Sequence, residues 1–225
     1  MNLNRKISAY IELILPIFFL LSGIVLFSGA YAAYGSLPPI TDLVLPLFII
    51  SVLIVSSFNA FNGVFDYNID RINKPKRPLP QRTVSKEGAL TISILLYIVA
   101  LLLSLLINNP TFLILVLINI VLTIFYSAPY IRLKDSFIIT NISIGLQYGL
   151  IPLLAGWVLY SDISQAPLQL TVPIFILAMF MGSIKDFGDY AGDKRYETKT
   201  LPVIMGPKNA AKLVIVFIFL MHLLL

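Results

Sequence analysis

The sequence predicts an all-α, polytopic transmembrane helical bundle of about seven spans. Three observations predict it. Of 225 residues, 58% are hydrophobic and only 12% charged, and the mean hydropathy is +0.92; a soluble domain is about one quarter charged. Apolar runs long enough to cross a ~30 Å hydrocarbon layer recur along the chain. All sixteen basic residues fall at the N-terminus or in every second loop, as expected of a chain that weaves through a bilayer.

The first span is predicted from about Ile7 to Tyr34, behind Arg5 and Lys6, and is too long for the apolar core of a signal peptide. A loop, GSLPPITD, leads to a second span from about Leu43 to Phe65. The third runs from about Ala89 to Ile107 and is broken by Asn108–Asn109–Pro110; the fourth covers Thr111 to Ser127. The fifth covers Phe137 to Tyr160 and the sixth Leu170 to Ile184. A seventh starts near Ala210 and is still apolar at Leu225. About sixteen helical residues reach only ~24 Å, so the expectation is a chain truncated at its C-terminus or an unusual last helix.

Basic residues follow spans two, four and six, whereas the loops after spans one, three and five carry only Asp42 and Asp162. By the positive-inside rule, this is an integral cell-membrane protein with its N-terminus and the loops after spans two, four and six in the cytoplasm. The net charge of +5 is topological and implies no nucleic-acid partner; the surroundings are membrane lipid. No cysteine is present, which excludes disulfides and thiolate chemistry, and a lone His222 makes no zinc or haem site.

The stretch NAFNGVFDYNIDRINKPKRPLP, Asn59 to Pro80, ends the second span. Asn62, Asp66 and Asp70 stand at i, i+4 and i+8, one stripe on a helix. Two carboxylates one turn apart repel, and a hard divalent cation shared with substrate phosphates offsets that repulsion. The device recurs after span six, where Asp189 and Asp193 are i, i+4 and Asp186 precedes them by one turn. Solvated helix ends are the bland reading. Against it stand the repeated spacing, the amides Asn59 and Asn62, and the basic residues flanking both clusters. Carboxylates at a helix C-terminus also oppose the helix dipole. The sharper reading is a diphosphate site: each Asp pair holds magnesium, the metals bridge the diphosphate, and flanking cations take the remaining charge. A cation-coupled transporter is the rival, although transporter acids lie near the midplane on broken helices.

These motifs resemble the UbiA superfamily of intramembrane prenyltransferases. The resemblance rests on N-x-x-x-D-x-x-x-D at Asn62, Asp66 and Asp70, running on into I-N-K-P-K-R-P-L-P. It rests equally on K-D-x-x-D-x-x-G-D from Lys185 to Asp193, on K-T-L-P at Lys199 to Pro202, and on Y-S-A-P-Y at Tyr126 to Tyr130. It implies one transmembrane prenyltransferase domain over residues 1–225, a helical ring around a central cavity capped on the cytoplasmic side. It further implies magnesium-dependent transfer of a polyprenyl group from an allylic diphosphate to a lipophilic or aromatic acceptor. On that resemblance the metal ligands are Asn62, Asp66, Asp70, Asp189 and Asp193, with Asp186 a further ligand or a base. Lys74, Arg77, Arg132 and Lys185 are the diphosphate cations, and Tyr126 and Ser127 are hydrogen-bonding candidates, with an interfacial aromatic belt the other reading of Tyr126. Glu12, costly inside a span, is a candidate for the acceptor. The second motif resembles a branch that includes enzymes with glycerophosphate acceptors, chlorophyll synthases and homogentisate prenyltransferases. Geranylgeranyl diphosphate is then a donor, and the acceptor class stays open. Three departures favour a second alternative, an inactive or truncated relative: Gly63 replaces a common aspartate, Leu15 replaces an arginine before Pro16, and the family typically has nine spans.

Overall fold

The computed structural model describes residues 3–14 and 18–223. Helix α1 is Leu3–Ile14 and α2 is Phe18–Tyr34; the Leu15–Pro16 departure lies outside the described residues, as does the His222 side chain. The spans α3 (Ile40–Phe65), α5 (Lys86–Leu105), α6 (Pro110–Ser127), α7 (Phe137–Trp157) and α8 (Leu168–Arg195) are each long and apolar enough to cross a membrane. Between α3 and α5 lies α4, Tyr67–Asn73, and after α8 come α9, Leu201–Met205, and α10, Pro207–His222. The first predicted span is the α1–α2 pair, inclined by 47°. The seventh, α10, has 16 residues and falls short of a span by length. Among the described residues there are therefore five crossing helices, or six counting that pair.

Local chemistry accounts for the boundaries. Ser85 caps α5, its hydroxyl accepting the Gly88 N–H, and Asn109 caps α6 with Pro110 in the first turn. The faces of α5 are inverted relative to a soluble helix. Ile94, Leu95, Ile98 and Leu102 are exposed, whereas Ala89, Ser93, Tyr97, Ala100 and Ser104 are buried. In hydrocarbon, helices associate through small residues and interhelical hydrogen bonds. Ser93 Oγ donates to the Ser57 carbonyl at 2.9 Å, and the Tyr97 hydroxyl donates to Thr123 at 2.8 Å.

Two features escape the periodicity of the sequence. Residues Phe48–Ile54 of α3 and Leu146–Leu150 of α7 are π-helical. Each stretch has a proline two residues away, Pro46 and Pro152, which removes an N–H from the i→i−4 ladder. The stripe carrying Asn62, Asp66 and Asp70 is also not one straight helix. The chain kinks at Asp66 (φ −92°, ψ 8°) between α3 and α4. The Asp66 N–H still reaches the Asn62 carbonyl and the Asp70 N–H the Asp66 carbonyl, both at 2.8 Å, so the i, i+4 register survives. Beyond the kink, α4 packs against α8, which also packs on α7 and α10.

Candidate functional site

The end of α3, the short α4, the loop after α6 and the C-terminal half of α8 converge on one polar pocket. Asn62, Asp66, Asp70, Lys74, Tyr126, Arg132, Lys185, Asp186, Asp189 and Asp193 line it. Of the residues singled out in the sequence, Arg77 and Ser127 are set back from its wall. Arg77 pairs with Asp70 at 3.3 Å, and the Ser127 hydroxyl donates to Asn62 Oδ1 at 2.7 Å. Tyr126 is buried, with Lys134 and Lys185 each 5.9 Å from its ring centre. Its ring therefore lies inside the bundle and not on its outer face. Glu12 is exposed and lines a separate cavity of about 140 Å³ with Asn59, Gly63 and Arg77. A Cβ at Gly63 would stand 3.0 Å from Leu79 and 4.0 Å from Leu13. The nearer contact is the end of the Leu79 side chain, so a larger residue at 63 requires that leucine to shift.

The carboxylates divide into two groups. Lys74 Nζ is 2.6 Å from Asp189 and 3.8 Å from Asp70. Asp66 holds Lys134 at 2.5 Å and Arg132 at 3.7 Å. Asp186 and Asp193 are buried and have no ion-pair partner among the described residues. Burial pushes the Asp70 carboxyl above its ordinary range, against the pull of Lys74 and Arg77. The Lys134 ammonium is pulled down by burial and held up by Asp66. Among the described residues, no three Asp, Glu or His side chains come close enough to hold a metal ion unaided. Every donor facing the pocket from Asp and Asn is nonetheless a hard oxygen, the type magnesium takes, and magnesium is ordinarily held by one or two carboxylates plus substrate phosphates.

Sequence reasoning missed Lys134, Thr198 and Thr200, which also line the pocket. Lys134 donates to both Asn62, at 3.0 Å, and Asp66. With Ser127 it occupies both lone pairs of Asn62 Oδ1. Its loop is bent inward by left-handed backbone at Tyr130 and Arg132 (φ 76° and 38°), a conformation that non-glycine residues keep only where the surroundings enforce it. Lysine after Y-S-A-P-Y was readable as a motif neighbour; its burial was not.

Beside the polar pocket lies a cavity of about 460 Å³ that shares Asn62, Lys74, Lys185 and Asp189 with it. Its other walls are largely apolar, with Phe58, Ile144, Tyr148, Ala178 and Met181 among them. Phe58 stands edge-on to Tyr126, with 5.3 Å between ring centres.

A charged pocket that shares a wall with an apolar cavity inside a membrane bundle fits an intramembrane enzyme for substrates with an anionic head and a hydrocarbon chain. Residues 21–225 match the UbiA prenyltransferase family, and the chain belongs to that family and is a prenyltransferase. Membership displaces the transporter alternative. The chain is 35% identical over 212 residues to a digeranylgeranylglyceryl phosphate synthase of Thermococcus sibiricus, covering 94% of this chain and 74% of the relative. It is 32% identical to the same-named protein of Pyrococcus horikoshii, with the same coverage. Among solved structures, one described as a digeranylgeranylglyceryl phosphate synthase superposes with a TM-score of 0.73 at 29% identity, over 97% of this chain and 76% of the other. A UbiA homologue from Archaeoglobus fulgidus bound to GPP and Mg2+ superposes with a TM-score of 0.77 at 22% identity, over 96% and 76%, and shares the fold.

Proposed function

We propose that the protein transfers a geranylgeranyl group from its diphosphate to the glycerol hydroxyl of a prenylglyceryl phosphate, with magnesium, on the cytoplasmic side of the membrane. The observation that carries this reading is the meeting of both acidic motifs at one pocket that shares a wall with the 460 Å³ apolar cavity. The names of the relatives favour a glycerophosphate over an aromatic acceptor.

Asp66, Asp70, Asp189 and Asp193 are the proposed magnesium ligands, joined by Asn62 once Lys134 leaves its Oδ1 for phosphate. Bound magnesium supplies Lewis acidity and neutralises charge on the leaving diphosphate. Lys74, Arg132, Lys134 and Lys185 bind the anionic oxygens, and the first three exchange their present carboxylate partners for phosphate. The apolar cavity takes the prenyl chain and keeps water from the allylic carbon, while Phe58, Tyr126 and Tyr148 present π-faces to developing positive charge. As the C1–O bond breaks and the glycerol oxygen bonds to C1, the hydroxyl proton passes to Asp186. That pocket carboxylate lacks an ion pair among the described residues and is not needed as a ligand.

The deciding experiment supplies the purified protein, in lipid nanodiscs, with labelled geranylgeranyl diphosphate, magnesium and either geranylgeranylglyceryl phosphate or aromatic acceptors. Labelled diether product is expected with the first alone, and its loss on chelation. Transfer only to an aromatic acceptor refutes the acceptor assignment. Orientation is read separately: Arg82→Cys and Lys199→Cys should react with an impermeant thiol reagent only in opened cells. Labelling in sealed right-side-out vesicles reverses the topology.

A further inference from the structure

Asn73 ends α4 with its side chain on the backbone of α8. Its Nδ2 donates to the Asp189 carbonyl at 2.7 Å, and its Oδ1 accepts the Gly192 N–H at 2.7 Å. Helix geometry ordinarily directs that N–H to the carbonyl four residues earlier, so a side chain from another element engages an amide in the last turn of α8. Gly192 makes the approach possible, because a Cβ there would stand 2.6 Å from both Asn73 amide atoms. The next residue, Lys74, grips the Asp189 side chain at 2.6 Å. Residues 73 and 74 therefore hold Asp189 by backbone and carboxylate together.

The two grips differ in what an incoming anion does to them. Lys74 is a mobile cation that phosphate oxygens attract away from its carboxylate. The Asn73 bonds join neutral groups and have no reason to exchange. Without them α4, which follows the kink at Asp66, would be tied to α8 by packing and by the Lys74–Asp189 ion pair that substrate displaces.

We propose that Asn73 and Gly192 form a positioning clip that sets the distance between the two acidic clusters, and with it the gap across which a metal-bound diphosphate is held. The inference rests on the diphosphate reading above but concerns the spacing of the site, not the identity of the reaction.

The test is a double-mutant cycle on the full chain in nanodiscs: Asn73→Ala, Gly192→Ala and both together. Each single variant should lower kcat at least tenfold and raise at least fivefold the magnesium needed for half-maximal thermal stabilisation by a non-hydrolysable geranylgeranyl diphosphate analogue. Melting without ligand should move by only a few degrees. With the amide gone the new methyl has room, so the double variant should be no worse than Asn73→Ala; contacting residues give this non-additivity. Asn73→Asp, which sets an oxygen against the Asp189 carbonyl, should behave like Asn73→Ala. Strict additivity, or unchanged magnesium dependence in Asn73→Ala, overturns the clip. If Asn73→Ala and Asn73→Ser both fail to fold, the contact is structural only and the proposal falls. A ligand-free readout separates this inference from the functional one. The chain has no native cysteine, so spin labels at Arg71→Cys on α4 and Lys194→Cys on α8 report the α4–α8 distance alone. That distribution should broaden in Asn73→Ala; an unchanged width defeats the clip even if the protein transfers nothing.

Discussion

Asp66 and Asp193 occupy opposite electrostatic situations, which gives their removal different signatures. Asp66 neutralises buried Lys134, so Asp66→Ala leaves a buried ammonium unpaired and should destabilise the protein by on the order of 3 kcal/mol. Asp193 is a buried carboxylate with no ion-pair partner among the described residues, so Asp193→Ala should leave stability unchanged or raise it. As proposed ligands, both should cost more than a factor of ten in turnover, about 1.4 kcal/mol of barrier. Thermal melts beside initial rates check this; an Asp193→Ala protein that melts well below wild type, or retains more than a tenth of its rate, contradicts the assignment. The acidic residues were legible because repeated spacing marks them. Lys134 was counted in the sequence only as a topological charge, since nothing in R-L-K shows that a left-handed turn will bury one of its cations and leave Arg132 half-buried beside the same aspartate. Asn73 was hidden for a related reason: its partners are backbone groups, which leave no trace in side-chain patterns.

At the level of elements, the closest crossing is between α2 and α7, where Gly29 and Gly156 lie each against the other helix's backbone. A Cβ at Gly29 would collide with the Leu153 carbonyl, and one at Gly156 with the Leu26 carbonyl. In a membrane such small-residue contacts are a main source of helix affinity. Gly29→Ala and Gly156→Ala should each cost about 1–3 kcal/mol by overpacking, lowering the melting temperature in detergent. Gly23→Ala, on the same helix but facing the Ser51 hydroxyl at 3.3 Å, is the control and should melt within a degree or two of wild type. Equal melting of all three would mean that α2 and α7 do not approach backbone to backbone. The spans themselves were legible from hydropathy, α8 as far as Ile184 and its acidic continuation from the motif. The two π stretches were not, because residue composition does not distinguish a wider turn from an α-helical one; Pro46 and Pro152 mark only where the ladder is interrupted. The kink at Asp66 was equally invisible, since hydrogen bonds on both sides keep the i, i+4 spacing that suggested one straight helix.

For the whole molecule, the consequence of two acidic clusters on facing elements is that its stability should depend on two ligands jointly. Asp66 and Asp70 come from the α3–α4 side and Asp186, Asp189 and Asp193 from α8, around a pocket of about 50 Å³. Lys74 links the sides through Asp70 and Asp189. Prenyl diphosphate alone would bring negative charge into this acidic pocket, and magnesium alone would find no three carboxylates together among the described residues. Each ligand supplies what the other lacks: the phosphate oxygens complete the metal's coordination, and the metal offsets repulsion between phosphate and aspartate. Such reciprocity is a coupling free energy, and it appears in melting because a ligand that binds only the folded state stabilises by RT ln(1 + L/Kd) at free ligand concentration L. Magnesium together with a non-hydrolysable geranylgeranyl diphosphate analogue should therefore raise the melting temperature by more than the sum of the separate shifts. Calcium, larger and less demanding of octahedral geometry, should reproduce the effect less well. The excess should vanish in Asp189→Ala, which takes one wall from the site, while the shift from the apolar chain filling the 460 Å³ cavity persists. Purely additive shifts in wild type would mean that the clusters bind their ligands separately, and a single metal-bridged diphosphate site would then be untenable.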